Sequence, residues 1–433
     1  MLVFTFPGQG SQRSGMGRAW VDHPSWELVE EASSAAGRNI ADLLLQAPMA
    51  ELTRTAEAQL ATFVQSLVVL DAVERLGLSP AACAGHSLGE YSALVAAGAL
   101  SFEDGIRLVT ARGDAMAQAT EESPGTMAAL MGISDDDADA ACHRAEGGAW
   151  VANYNAPGQV IVAGTSEGVA TVSVLAREMG ARKVLPIPVA GAFHTPLMVG
   201  ARPALRKALG DAEFVVPEVP VVANVDARVH VDPAEWPQLL SAQLCAPVRW
   251  RQSLQTLANL GGSMLVELGP GGVLTGLAKR GAPDLRALSV ASPDDLDALM
   301  DALAAPEAGE AEVSHISAHH GEHLYVSERV VVSPGSGTFT PEASLAAPGT
   351  GLLPGTGGAL GGIAGGSAGG TAEGSVDTGG ADRIAVGDLI GLVGEAEVRT
   401  PFSGQVVRWL AASGERVQEG QPVLWLRVPG TDR

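Results

Sequence analysis

The chain has 433 residues, of which 46% are apolar, so it can hold two or three domains and is too apolar to be wholly disordered. The 49 acidic residues outnumber the 27 basic ones, for a formal net charge of −22. This charge argues against a nucleic-acid binder, because phosphate binding needs clustered cations. Three widely spaced cysteines predict neither a zinc motif nor a disulfide scaffold and favour a reducing compartment, the cytoplasm.

Strand-like and helix-like segments alternate through residues 1–305, which predicts an α/β domain with a mostly parallel sheet. No apolar run in it approaches the roughly 20 residues that cross a bilayer, so we expect no membrane segment. The predicted elements are a strand over Leu2–Phe6, an amphipathic helix over Thr62–Leu76, a strand over Ala81–Gly85 followed by a helix through Leu94, and strands over Met264–Glu267 and Leu285–Ala291.

The pattern changes at about residues 125–190, where the predicted elements follow the order βαββαβ. They are Thr126–Gly132, Asp136–Ala145, Trp150–Asn155, Val160–Ala163, Val169–Met179 and Lys183–Ile187. This order is the split arrangement of a ferredoxin-like unit. We therefore expect a small lobe inserted into the larger domain, with the active site in the cleft between the two.

A connecting segment (306–328) leads to a strand-rich tail over residues 329–428, which a Gly-rich stretch interrupts at about 343–381. That stretch has the composition of a flexible loop. The tail contains a weak internal repeat, which predicts a small pseudo-symmetric β-sandwich. In the connecting segment, His315, His319 and His323 have the helical spacing of metal ligands, but a solvated segment that binds no metal is the favoured interpretation.

The sharpest chemical signal is the GxSxG pattern of Gly85–Gly89, which lies between a predicted strand and a predicted helix. This context is that of a nucleophile elbow and predicts Ser87 as a nucleophile, with a purely structural turn as the alternative. A serine hydroxyl needs a base at neutral pH. His194 follows the last strand of the small lobe and is expected to face the cleft, so we predict it as that base rather than a structural histidine.

Two further features fit acyl transfer. The glycine-containing segment Phe6–Gln12 ends a strand, so the backbone N–H of Gln9 could join that of Leu88 in an oxyanion hole, although an ordinary turn is equally compatible. Arg112 lies on a predicted helix, where its guanidinium could bind a carboxylate in a cleft. Residue type alone favours a surface position for this arginine.

Seven motifs that occur in order resemble those of the malonyl-CoA:acyl-carrier-protein transacylases, over residues 1–305. They are GQGSQ at 8–12, GHSLGEY at 85–91, ARG at 111–113, NAPGQ at 155–159, GAFH at 191–194, QLCAPVRW at 243–250 and VELGPG at 266–271. The resemblance implies an α/β-hydrolase-like parallel-sheet core with an inserted ferredoxin-like βαββαβ subdomain. It also implies ping-pong transfer of malonyl from malonyl-CoA, through a malonyl-serine, to the phosphopantetheine thiol of an acyl carrier protein.

The same resemblance implies a role for each candidate site residue and requires no bound cofactor or metal. Ser87 and His194 are the catalytic pair, Gln9 and Leu88 form the oxyanion hole, Arg112 binds the malonyl carboxylate, Gln243 orients His194 through a carbonyl, Asn155 lines the cleft, and Phe193 favours malonyl over larger acyl groups. Whether the carrier serves fatty-acid or polyketide synthesis stays open. A serine hydrolase of acyl esters is one alternative function, and an assembly protein with a retained scaffold is another.

The tail resembles the all-β biotinyl/lipoyl carrier domains. In those domains a modified lysine lies in a hairpin, and the corresponding segment here, residues 394–398, is shorter and contains no lysine. The lysines of the chain are Lys183, Lys207 and Lys279, so attachment of biotin or lipoate through an amide in the tail is excluded. The tail is expected to be a docking module or a remnant, and a carboxylase or synthase component is a candidate partner.

Overall fold

A computed structural model divides the chain into two compact units, Met1–Ala311 and Glu312–Arg433. The residues it describes are 1–145, 148–189, 191–304, 326–341, 383–385, 387–394, 396–400, 404–409, 411, 413–414, 416–417 and 422–429. The predicted Gly-rich loop (343–381) and the His315–His323 cluster lie outside the described residues, as does most of the connecting segment (306–328).

The first unit alternates strands and helices, which confirms the predicted mixed α/β class. Its strands are β1 (Leu2–Phe6), β2 (Ala82–Gly85), β3 (Thr126–Met131), β4 (Ala149–Ala156), β5 (Gln159–Gly164), β6 (Lys183–Ile187), β7 (Val221–Val222), β8 (Val229–His230), β9 (Met264–Leu268) and β10 (Arg286–Val290). Its α-helices are α1 (Glu27–Ala36), α2 (Ile40–Leu45), α3 (Met49–Leu52), α4 (Thr55–Glu74), α5 (Gly89–Ala96), α6 (Phe102–Glu122), α7 (Asp135–Arg144), α8 (Ser166–Glu178), α9 (Arg202–Asp211), α10 (Trp236–Gln243), α11 (Trp250–Asn259), α12 (Val273–Gly281) and α13 (Asp294–Ala304).

The larger lobe is built on a six-stranded sheet with the order β10-β9-β1-β2-β7-β8. The strands from β10 to β7 are parallel, and β8 runs antiparallel to β7. At the carboxyl end of β1, Phe6 is the register partner of Gly85 at the end of β2. Because both strands end at the same edge of the sheet, the loop after Phe6 lies beside Ser87.

Helix α4 differs from the sequence-based expectations in its burial and its length. It is longer than the predicted helix, and its side chains are buried around nearly its whole circumference, so it is not amphipathic. By length and composition it could cross a membrane, contrary to the expectation that no apolar run reaches that length. In the folded chain 83% of its most apolar stretch is buried, which is the environment of a core helix.

The smaller lobe has the predicted βαββαβ order, in the succession β3, α7, β4, β5, α8 and β6. Its four strands form an antiparallel sheet with the order β4-β5-β3-β6. One face of this sheet packs against both helices, with Leu130 and Val162 from the strands meeting Ala138 of α7 and Val172 of α8 in a separate apolar core.

In the described part of the second unit the regular elements are all strands. Its strands are β11 (Val326–Val332), β12 (Gly337–Pro341), β13 (Arg383–Ile384), β14 (Leu389–Val393), β15 (Ala396–Arg399), β16 (Gly404–Trp409), β17 (Arg416–Val417) and β18 (Pro422–Pro429). They form two antiparallel four-stranded sheets, β11-β18-β16-β13 and β15-β14-β12-β17. Both sheets contribute to one core, in which Phe339, Ile390 and Leu424 are fully buried.

Candidate active site

Ser87 lies on a sharp turn between β2 and α5, and its φ of 54° is in the left-handed region. The two flanking glycines make this turn possible. A Cβ on Gly85 would lie 1.8 Å from the carbonyl oxygen of Gly89, and a Cβ on Gly89 would lie 2.0 Å from that of Phe6. Left-handed backbone costs energy for a non-glycine residue and is concentrated at functional sites. The turn therefore has the geometry of a nucleophile elbow.

His194 contacts the serine directly, as expected from the sequence. Its Nε2 is 2.7 Å from Ser87 Oγ, and its Nδ1 is 2.8 Å from the main-chain carbonyl oxygen of Gln243. A carbonyl only accepts, so Nδ1 carries the proton and Nε2 presents its lone pair to the hydroxyl. Burial and the nearby Arg112 charge lower the pKa of His194 to about 3. The imidazole is neutral at physiological pH and can accept the serine proton.

Arg112 is buried, with 1% of its surface exposed, which corrects the surface position that residue type alone favours. Its Nη2 donates to Ser87 Oγ at 3.0 Å and to Gln243 Oε1 at 2.8 Å, and its Nη1 donates to Gln59 Oε1 at 2.6 Å. These acceptors are neutral, and burial lowers the pKa of the guanidinium. Its Nε is buried with no hydrogen-bond partner among the described residues. The cation beside the nucleophile can thus pair with an incoming anion.

Two residues that were not identified from the sequence, Asn224 and Glu90, form hydrogen bonds on the side of the elbow away from the pocket. The Asn224 side chain accepts from the Ser87 N–H at 2.7 Å and donates to the Gly85 carbonyl at 2.7 Å. Glu90 accepts from the Asn224 N–H at 3.0 Å and from Gln243 Nε2. Burial raises the pKa of Glu90 to about 7. Glu90 lies within the GHSLGEY motif, but no motif or pattern marks Asn224.

His86 is turned away from Ser87 but lines the same pocket. Its Nε2 is 2.9 Å from Asn155 Oδ1, and its ring meets Trp250 edge-on with the centroids 5.5 Å apart. Burial lowers the pKa of His86. The contact joins the elbow to β4, so Asn155 links the two lobes at the site.

The pocket has a volume of about 290 Å³ and lies between the lobes, with Gln9, Ser87 and Arg112 on one side and Met127 and Ile187 on the other. The sequence-predicted Asn155, Phe193 and His194 also line it. Among the described residues, no acceptor is hydrogen-bonded to the N–H of Gln9 or of Leu88. Gln9 lines the pocket, so its N–H is free to meet a ligand there, whereas Leu88 is buried next to the nucleophile and is not a lining residue.

Comparison with known proteins places this site in a family. The family model of the acyl transferase domain matches residues 3–296. The chain belongs to the acyl transferase family. Curated relatives are the malonyl CoA-acyl carrier protein transacylases of Bacillus subtilis (strain 168), 38% identical over 70% of this chain and 97% of the relative, and of Escherichia coli (strain K12), 40% identical over 69% and 99%.

Solved structures agree with this assignment. An acyl-carrier-protein S-malonyltransferase from Burkholderia pseudomallei has a TM-score of 0.67 and 40% identity, covering 69% of this chain and 99% of that one. A malonyl-transacylase solved in complex with its type II PKS acyl-carrier protein has a TM-score of 0.67 and 36% identity, covering 70% and 99%.

All the sequence-predicted site residues of this acyl transferase lie within the matched region. The structure brings Ser87, His194, Arg112 and Gln243 into direct contact and places Gln9, Asn155 and Phe193 around the same pocket. Leu88 follows the nucleophile and is buried. The β-stranded second unit lies beyond the matched residues, so its likeness to biotinyl/lipoyl domains stays a prediction.

Proposed function

We propose that this acyl transferase moves the malonyl group from malonyl-CoA to the phosphopantetheine thiol of an acyl carrier protein. The observation that carries the proposal is the buried guanidinium of Arg112, 3.0 Å from the Ser87 hydroxyl. A buried cation beside the nucleophile favours an acyl group that ends in a carboxylate, because the anion offsets a charge that burial makes costly. The transacylases to which the chain is similar are named for this reaction.

In the first half-reaction, Ser87 Oγ attacks the thioester carbonyl carbon as its proton passes to His194 Nε2. Negative charge develops on the carbonyl oxygen, where the N–H groups of Gln9 and Leu88 can donate to it. The tetrahedral intermediate collapses with cleavage of the C–S bond. Coenzyme A leaves as its thiol after taking the proton from His194, and malonyl remains as an ester of Ser87.

The second half-reaction repeats these steps with a different nucleophile. The carrier thiol gives its proton to His194 and attacks the malonyl-serine ester. Ser87 then leaves as the alkoxide and recovers the proton from His194. Both halves use the same oxyanion donors. Because coenzyme A leaves before the carrier thiol attacks the malonyl-serine, the sequence of steps is the ping-pong scheme that the family resemblance implies.

Hydrolysis is the weaker candidate reaction. In a Ser-His-Asp hydrolase a buried carboxylate faces the far nitrogen of the histidine and stabilises the imidazolium. Here the group behind His194 is the neutral Gln243 carbonyl. Arg112 also holds the acyl carboxylate close to the ester, which leaves less room for water to attack it.

The finer features of the first unit belong to the same proposal. The parallel sheet with its elbow after β2 supports an α/β-hydrolase-like core, and the sheet order β4-β5-β3-β6 supports a ferredoxin-like inserted lobe. Phe193, which lines the pocket, would favour malonyl over branched acyl groups. The cysteine usage supports a cytoplasmic location.

For the second unit we propose a docking role on a biotinyl/lipoyl-like scaffold that carries no attached cofactor. Two four-stranded antiparallel sheets around one core support that scaffold. The hairpin between β14 and β15 pairs Val393 with Ala396, and the sequence has no lysine there. The proposed domain limits are 1–305, 306–328 and 329–428. Capture of a carboxylase or synthase component by the full chain, and not by a chain ending at residue 305, would support this role.

The deciding experiment is intact-mass spectrometry of the full chain with malonyl-CoA, followed by holo-acyl carrier protein. We expect a malonyl adduct on the wild type that passes to the carrier, and none on Ser87→Ala. Steady release of coenzyme A without a carrier would favour the hydrolase instead. No adduct and no release would overturn the enzyme proposal and favour an assembly protein. Carriers of fatty-acid and polyketide type, compared in the second step, would identify the preferred acceptor.

A further inference from the structure

Glu90 is a buried carboxyl group for which the proposed reaction has no use. It lies in the first turn of α5, directly behind Ser87, with 1% of its surface exposed. Burying a carboxylate is costly, so such a group is kept where its hydrogen bonds have a defined purpose. Its two oxygens contact two separate parts of the chain, Asn224 and Gln243.

We propose that Glu90 is a positioning residue that fixes the side-chain amide of Gln243 and, through it, the orientation of Arg112 toward the acyl carboxylate. The inference rests on the proposed malonyl transfer. Glu90 does not contact the expected position of the substrate. It acts through Gln243 and Asn224.

The first step of the argument concerns the orientation of the Gln243 amide. Its Nε2 donates to the Ser87 carbonyl at 2.8 Å and to Glu90, and its Oε1 accepts from Arg112 Nη2 at 2.8 Å. The opposite orientation would place the NH₂ group against the guanidinium, which is also a donor, and the amide oxygen against two acceptors. Both oxygens of Glu90 act as acceptors here, one for the Asn224 N–H and the other for Gln243 Nε2, so Glu90 favours the orientation in which Oε1 of Gln243 faces Arg112.

The second step concerns the elbow itself. The other oxygen of Glu90 accepts the Asn224 N–H at 3.0 Å. The Asn224 side chain in turn bonds to the Ser87 N–H and the Gly85 carbonyl, on either side of the strained turn. The Glu90 carboxyl group thus connects the turn at Ser87, through Asn224, with the Gln243 amide that contacts Arg112. A change at Glu90 should therefore alter the acyl preference as well as the rate.

The substitution Glu90→Gln tests this directly. It keeps the size of the side chain but replaces one acceptor by an NH₂ group, so one of the two bonds must be lost. The measurements are the rate of adduct formation on Ser87 with malonyl-CoA and with acetyl-CoA, by rapid-quench intact mass, together with the melting temperature. Ser92→Ala is the matched control, because Ser92 lies on the same helix, is buried, and has a hydroxyl with no hydrogen-bond partner among the described residues.

We expect kcat/KM for malonyl-CoA to fall about tenfold or more in Glu90→Gln, as for loss of one hydrogen bond to a charged group. The malonyl-to-acetyl ratio should fall at least about threefold, because acetyl has no carboxylate for Arg112 to orient. The Ser92→Ala protein should keep both values. If Glu90→Gln does not fold, Glu90→Asp serves instead, since it keeps the charge but is too short to hold both partners.

Three results overturn the inference. Wild-type rates and preference in the variant would show that Gln243 needs no partner at Glu90. An equal loss for both substrates, in step with a lower melting temperature, would show that Glu90 only stabilises the fold. A wild type that forms no adduct with malonyl-CoA would refute the proposed function itself, and the inference with it.

Discussion

The main-chain carbonyl oxygen of Gln243 lies 2.8 Å from Nδ1 of His194, in the place where a hydrolase has a carboxylate. The side chain of the same residue reaches the other way, to Arg112 and to the Ser87 carbonyl. Gln243 therefore contacts the proposed base, His194, through its backbone and the proposed carboxylate-binding group, Arg112, through its side chain. The two tasks can be separated by mutation, because a substitution removes only the second.

Gln243→Leu should accordingly impair malonyl transfer more than the intrinsic reactivity of Ser87. Arg112 loses an acceptor, so we expect malonylation to slow about tenfold, the effect of one charge-assisted hydrogen bond. Labelling by a fluorophosphonate, which carries no carboxylate, should slow less than about threefold, because the bond from His194 to the carbonyl survives. Both rates can be followed by intact mass. Gln118→Leu, at an exposed position on α6, is the control, and equal losses with both reagents would contradict this division of tasks.

Gly89→Ala should disrupt the elbow. The new Cβ would lie 2.0 Å from the Phe6 carbonyl oxygen, a distance at which β1 or α5 must shift. We expect a loss of at least about 3 kcal/mol in unfolding free energy, as for severe overpacking in a core, and no detectable malonyl adduct.

For Gly210→Ala we expect the opposite change in unfolding free energy. A Cβ there meets nothing within 4 Å in helix α9, so stability should rise by up to about 1 kcal/mol. Urea denaturation of both variants checks the pair, and an intact Gly89→Ala protein with normal activity would refute the steric argument.

The pairing of Ser87 with His194 could be predicted from the sequence because the signals of both residues are local. A small-residue strand, the pattern around Ser87 and a helix follow one another without a gap, and the backbone geometry of that turn requires the two glycines. Comparison of the nine histidines singles out His194, because it lies shortly after the last strand of the inserted lobe.

The surroundings of the pair could not be predicted in the same way. Arg112 is buried because Gln59 and Gln243 meet it from distant parts of the chain, and helix periodicity contains no information about them. Asn224 is a single amide in a short strand-turn segment. The sequence of helix α4 suggests an amphipathic helix, because its polar residues indicate solvent-exposed faces. In the folded chain those faces are covered by α6 and the sheet, which the sequence of α4 does not indicate. Tertiary contacts determine all three features.

His194 should make the stability of the protein depend on pH in a predictable direction. Its pKa is lowered to about 3 in the folded chain and is near 6.5 in the unfolded one, so below pH 6.5 the unfolded state binds a proton that the folded state does not. The unfolding free energy is therefore lost as the pH falls from 6.5 toward 3. Between pH 7 and pH 5 the wild type should lose about 2 kcal/mol relative to His194→Gln.

Other titrating groups, among them Glu90, are present in both proteins, and their contributions largely cancel in this difference. Urea denaturation of wild type and variant at pH 7, 6 and 5 provides the measurement. Parallel pH dependences would mean that His194 is as easily protonated in the folded chain as in the unfolded one, and the argument for a neutral base would fail.

Arg112→Ala tests the group on which the substrate assignment depends. The substitution removes the only described cation that touches Ser87 Oγ, so kcat/KM for malonyl-CoA should fall by about a hundredfold or more, as for loss of a desolvated charge pair. Acetyl-CoA should lose much less, and the preference should shift toward it. The Gln59 and Gln243 oxygens lose their donor, so unfolding free energy should also fall by about 1–3 kcal/mol.

Arg107→Ala is the matched control, because this arginine lies on the same helix, is exposed, and pairs with Asp104 at 2.5 Å. Arg107 does not line the pocket, so activity and preference should stay at wild-type values. Competition between malonyl-CoA and acetyl-CoA in one reaction, read by the mass of the Ser87 adduct, gives the preference without requiring equal amounts of folded protein. An unchanged ratio in Arg112→Ala would mean that the carboxylate is bound elsewhere in the pocket. The buried guanidinium would then serve only to hold Gln59, Gln243 and the serine hydroxyl in place.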